Sequence, residues 1–69
     1  MTNEQFDLLA EAFSLPNSPT REAVRLVQVD GLTVYAAAKS CGLIQSTVSR
    51  ANHKFARALQ LVLDARLVA

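Results

Sequence analysis

The chain has 69 residues, 51% of them apolar, with seven basic and six acidic side chains and a formal net charge of +1. That length holds one domain, residues 1–69, which buries only about 60% of the surface its unfolded chain exposes; a presented surface suits it better than an enclosed cavity, and its apolar content excludes disorder. The charge is unevenly spread: residues 1–30 carry five acids against two arginines, residues 31–69 carry five bases against Asp64 alone, and no acid stands between Gly31 and Leu63, so one face is expected to meet something anionic.

Thr2 and Gln5 have the spacing of a capping box, and Phe6, Leu9, Ala10 and Phe13 follow at helical intervals, with Leu8 and Ala12 widening the apolar stripe. Pro16 and Pro19 cannot sit inside that helix and must follow its end. Ser18-Pro19 opens a second helix, with Ser as the cap and Pro in the first helical position. Ala23, Leu26, Val27 and Val29 are expected to face inward on it, and Asp30-Gly31 closes it. A hairpin at Asp30-Gly31 is the competing reading, because both flanks are rich in β-branched residues. The next segment argues against it: Thr33 can cap a short helix from Val34 to Ser40, and three consecutive alanines favour helix over strand.

Gly42 interrupts, and a periodic stretch free of Gly and Pro runs from about Gln45 to about Leu67, with Val48, Ala51, Phe55, Ala58, Leu59 and Val62 in phase. The sequence leaves open whether this is one helix, about 34 Å long at 1.5 Å per residue, or two with a bend near Arg57. The expected architecture is therefore all-α, four to five helices with a long C-terminal one.

Residues 38–51 have helix-turn-helix spacing, the whole motif covering about 33–55. Ala38 is small where two helices cross, Gly42 permits the positive φ of the tight turn, Leu43 plugs the core and Val48 anchors the second helix. Cys41 reads as a small buried hydrophobe. With Val48, Ala51 and Phe55 inward, the opposite side of the second helix carries Gln45, Ser46, Ser49, Arg50 and His53 as one continuous face. Gln pairs with adenine and Arg with guanine in the major groove, and Ser donates to bases or phosphates. Gln45, Ser46, Ser49 and Arg50 are the candidate base contacts. Lys39, Thr47, His53, Lys54 and Arg57 are the candidate phosphate contacts.

This stretch resembles the helix-turn-helix of the Cro repressors of lambda-like phages in Ala38-Lys39, Gly42, Gln45-Ser46, Ala51 and His53. Most of the chain resembles the TrfB/KorA family of plasmid repressors, through Thr2 with Gln5-Phe6, Val29-Asp30-Gly31, Gly42-Leu43, Val48-Ser49, Ala51 and His53. The resemblance implies a repressor in the bacterial cytoplasm that binds a palindromic double-stranded DNA operator as a dimer, with Gln45, Ser46, Ser49 and Arg50 reading bases. Ile44 departs from the capping Ser or Thr common at its position.

The C-terminal stretch, about 58–69, is apolar on more than one side. One side can pack on the first helix, and the other is left for a partner. A homodimer through Leu59, Val62, Leu63 and Leu67 is expected. A second reading keeps the fold and changes the partner. Small phage anti-activators bind a host transcription regulator, such as a quorum-sensing regulator, and this chain looks like one in length and style. Tyr35 and Arg50 would then be contacts, as Tyr and Arg are common interface anchors. An enzyme is not expected: one His, no paired carboxylates and no phosphate-cradling glycine loop leave no small-molecule chemistry to carry. No cofactor or metal is expected either, because Cys41 and His53 fall short of the four ligands of a structural zinc site. The polar start Met1 to Gln5 does not read as a signal peptide. The longest apolar run, Val34 to Ala38, is far below the roughly 20 residues of a membrane span.

Overall fold

The computed structural model describes residues 1–68, with side chains through Ala65. It contains four helices: α1 (Asn3–Ala12), α2 (Pro19–Gln28), α3 (Val34–Cys41) and α4 (Gln45–Val68). The stretch from Gln45 is one 24-residue helix without a break near Arg57. It accounts for the molecule's long axis, 40 Å against 20 Å in the other two directions.

Local chemistry sets the helix starts. The Thr2 hydroxyl accepts the Gln5 amide at 3.1 Å, and the Gln5 side chain accepts the Thr2 amide at 2.9 Å, a complete capping box. Ser18 caps α2 ahead of Pro19, and the Thr33 hydroxyl accepts the Ala36 amide at 3.1 Å to start α3.

Two helix ends share one design. At the end of α3, Gly42 is left-handed at φ 66°. The Leu43 amide donates to the Ala38 carbonyl at 2.9 Å, and the Gly42 amide donates to that of Lys39 at 3.4 Å. At the end of α1 the same bonds recur, Leu15 to Ala10 at 2.8 Å and Ser14 to Glu11 at 3.0 Å, with Ser14 left-handed at φ 58°. The first helix is thus closed by a left-handed Ser14 before Pro16 is reached.

Two buried clusters hold the helices. Phe6, Ala10, Val24 and Phe55 join α1, α2 and α4, with Phe6 stacked on Phe55 at 5.1 Å and Phe13 edge-on to Phe55 at 5.5 Å. Ala23, Ala37, Ala38 and Val48 join α2, α3 and α4, supported by Leu26, Val27, Cys41 and Leu43. Neighbouring residues Ala23 and Val24 point into different clusters, so α2 is the shared wall. Three buried alanines, Ala23, Ala37 and Ala38, let α2 and α3 approach closely.

Val24 was absent from the expected inward set, while Leu26, Val27 and Val29 are only half-buried. The inner stripe of α1 is also narrower than expected, because Leu8, 69% exposed, and Ala12 both face solvent. Among the described residues no helix is long and apolar enough to cross a membrane.

Candidate nucleic-acid interface

Helix α3, the three residues Gly42-Leu43-Ile44 and helix α4 form a helix-turn-helix unit. Val48 is fully buried and Phe55 nearly so, which fixes the rotation of α4 about its axis. The helical repeat then turns Gln45, Ser46, Ser49, Arg50 and His53 to the far side, and all five are exposed. Asn52 lies at the edge of the buried side, where its Oδ1 accepts the Gln28 Nε2–H at 2.8 Å. This α2–α4 bond braces the rotation that Val48 sets. Sequence reasoning missed it, because two residues 24 apart give no local signal of their pairing.

Thr47, Lys54 and Arg57 are also exposed on α4, and Lys39 is exposed on α3. Arg57 stands 12 residues beyond Gln45, about 18 Å along the helix, a little over three turns past that first contact position. Tyr35 is 62% exposed and lies one turn before Lys39, so the two share a face of α3. Ile44, 72% exposed at the head of α4, is a large apolar residue that sequence reasoning had treated only as a missing cap.

The electrostatics follow the two halves of the chain. Every ion pair among the described residues lies within residues 7–30: Arg21 with Asp7 at 3.4 Å, Arg25 with Glu22, and Arg25 with Asp30 at 3.7 Å. The hydrogen bond from Arg25 holds the Glu22 carboxyl below its usual range against an opposing desolvation, and Glu22 raises the Arg25 guanidinium in return. Lys39, Arg50, Lys54 and Arg57 have no ion pair among the described residues. The first turn of α4 contains no acid. Among the described residues the amides of Gln45 and Ser46 have no acceptor, which leaves the positive end of the α4 dipole uncapped. Asp64 is the nearest acid along α4, and its carboxylate accepts a hydrogen bond from Gln60 at 2.9 Å.

Of the expected dimer residues, Leu59 is half-buried, Val62 is 41% and Leu63 44% exposed, and Leu67 lies outside the described side chains. Cys41 is half-buried against the second cluster. Among the described residues no group of three or more His, Cys, Asp or Glu is placed to hold a metal ion. No protein-family model, curated protein or solved structure matches this chain.

Proposed function

We propose that this protein is a helix-turn-helix transcriptional regulator that binds a double-stranded DNA operator as a homodimer and represses by occupying a promoter, as the resemblance to plasmid and phage repressors implies. The observation that carries the reading is the outer face of α4, where Gln45, Ser46, Ser49 and Arg50 stand exposed with Lys54, and with Lys39 on α3, without an acid or an ion pair among them. A recognition helix entering the major groove needs such a face. Its base-reading groups lie at the N-terminal end and its cations remain available to phosphates.

In this reading Gln45 and Arg50 read base edges, Ser46 and Ser49 donate to bases or nearby phosphates, and the open α4 N-terminus adds its amides to a phosphate contact. Lys39, Thr47, His53, Lys54 and Arg57 border that footprint as phosphate contacts. Tyr35 sits beside Lys39 on the helix that crosses the backbone, where its hydroxyl is suited to a phosphate oxygen. Ile44 offers an apolar surface to a thymine methyl. The site of action is then the bacterial cytoplasm. Selection from random duplexes tests the proposal: a two-fold motif should be enriched, and retention should fall steeply with salt.

The exposure of Tyr35 and Ile44 also favours a second reading, in which the same face binds a host transcription regulator. Selection that enriches no sequence, together with recovery of one regulator from host lysate that Arg50→Ala and Tyr35→Ala abolish, would establish that reading instead.

A further inference from the structure

The outer side of α1 and the distal half of α4 enclose an open groove of about 330 Å³ lined by Met1, Leu8, Leu9, Leu59, Val62 and Leu63, with Gln5 at its edge. No ionisable side chain lines it. Leu8 is 69% exposed, Leu63 44% and Val62 41%, so the surface is apolar and largely uncovered. We infer that this groove is the two-fold contact between two copies of the chain and that Leu8 of α1 belongs to it as fully as the leucines of α4. The inference rests on the DNA-binding reading and gives its dimer a face and a geometry.

Charge selects a second copy as the occupant. In a two-fold contact the same patch meets itself, and residues near the axis face their own counterparts. The lining side chains of Met, Leu, Val and Gln can do so without repulsion, and the Met1 amino group, the one charge on a lining residue, must then stand off the axis. A standard interface takes about 800 Å² from each partner, roughly a sixth of the 4790 Å² this chain exposes. Leu59, Val62 and Leu63 alone make a narrow strip, and the face of α1 widens it.

Orientation selects the groove over the other exposed side of distal α4. At about 100° per residue, Leu59, Val62 and Leu63 centre roughly 115° round the helix from the face of Gln45, Ser46, Ser49 and Arg50. Leu63, five full turns beyond Gln45, marks the edge of that face, and Leu59 and Val62 turn away from it, so a partner centred on the groove leaves Ser46, Ser49 and Arg50 clear. The flank carrying His53, Arg57, Gln60, Leu61 and Asp64 continues the same side of α4 as the base-reading residues, so a partner seated there would obstruct the approach to DNA.

Distance adds a third constraint. Val62 is 17 residues past Gln45, about 25 Å along α4. Two copies pivoting near Val62 bring their Gln45 ends to one DNA turn, about 34 Å apart, when their α4 axes subtend roughly 90°. An antiparallel alignment would separate those ends by about 50 Å and a parallel one would nearly superimpose them.

Sedimentation equilibrium over a concentration series tests the contact on the full chain. The wild type should reach twice the 7.5 kDa chain mass. Leu8→Glu and Leu63→Glu should each weaken association about tenfold or more at unchanged helical circular dichroism, while Leu61→Glu, on the flank, should leave it intact. A wild type that stays at the single-chain mass overturns the inference, as does a dimer broken by Leu61→Glu and indifferent to Leu8→Glu. A dimer lost with Leu8→Glu that nevertheless binds no duplex removes the DNA-binding reading and keeps the contact. A monomer that binds duplex does the reverse.

Discussion

The first two helices and the last two treat charge in opposite ways. In residues 1–30 both arginines are engaged with acids: Arg21 reaches Asp7 while also donating to the Leu15 carbonyl, and Arg25 holds Glu22, Asp30 and the Asn3 side chain. In α3 and α4 the cations at positions 39, 50, 54 and 57 have no such partners among the described residues, and the two helices are held by apolar contacts and the Gln28–Asn52 bond. One half uses its charges within the fold, and the other leaves them exposed without ion pairs among the described residues. A net charge of +1 conceals this division, and the arrangement of pairs reveals it.

The comparison breaks most severely at Phe55, where the two halves meet. Its ring touches both Phe6 and Phe13 and is almost wholly buried. Phe55→Ala should cost about 3–5 kcal/mol. A chain of this size has roughly 3–10 kcal/mol of total stability, so the variant should be largely unfolded at room temperature by circular dichroism and denaturant titration. A small loss would mean that the α1 side of the core is peripheral.

The next effect separates folding charge from binding charge. Arg50→Ala should remove about 1–3 kcal/mol of discrimination at one base position, with the thermal midpoint unchanged because Arg50 is exposed and has no ion pair among the described residues. Lys54→Ala should weaken binding to all duplexes alike and lower the salt slope by about one. Arg25→Ala should do the converse, reducing thermal stability while leaving the salt slope intact. A salt slope that falls with Arg25→Ala as much as with Lys54→Ala would erase the distinction between the halves.

The sequence made the helix starts legible because caps are local: Thr2 with Gln5, Ser18 with Pro19 and Thr33 each act within three residues. The turn at Gly42 and the outward rotation of Gln45 to Arg50 were legible for the same reason, since Val48 and Phe55 mark the inner side of one regular helix. Features set by more than one neighbour were not. Helix α2 faces two clusters, so Val24 lay off the single stripe drawn through Ala23 and Leu26. Leu8 was counted as widening the stripe, yet two residues on from Phe6 it stands about 200° round the helix, on the side of α1 away from the core, and is exposed. Exposure of Leu8 is what turns the expected strip on α4 into a groove.

Ser14 and Gly42 compare the halves at a finer scale. Both hold left-handed backbone in the same closing turn, and only Gly adopts it without a steric cost. Nothing lies within 4 Å of where a Cβ on Gly42 would stand, so the penalty for Gly42→Ala is backbone strain alone. It should destabilise by about 1 kcal/mol, and Ser14→Gly should stabilise by up to about 1 kcal/mol, both read as shifts in denaturation midpoint. Gly42→Ala should also weaken DNA binding through a displaced α4, whereas Ser14→Gly should leave it unchanged. The first half thus carries a strain that can be removed at no expected cost to binding.

The smallest expected effect is the pH dependence of the Glu22–Arg25 pair. Arg25 donates from Nε to Glu22 Oε2 at 2.9 Å and from Nη2 to Oε1, and this pairing holds the carboxyl below its ordinary value of 4.5. A carboxyl lowered in the folded state binds its proton more weakly there than in the unfolded chain. Its stabilising contribution is therefore complete above the ordinary value and is lost as pH falls through the lowered one. The Glu22 side chain is half exposed, so solvent screens the pair and the contribution is small. Glu22→Gln should lower the denaturation midpoint slightly at neutral pH, and the difference from wild type should vanish in acid. It should also shrink with added salt. A wild-type advantage that persisted unchanged below the lowered value would mean that the pair stabilises α2 by packing of the Arg25 stem, and the charges of the first half would then be as dispensable to folding as those of α4.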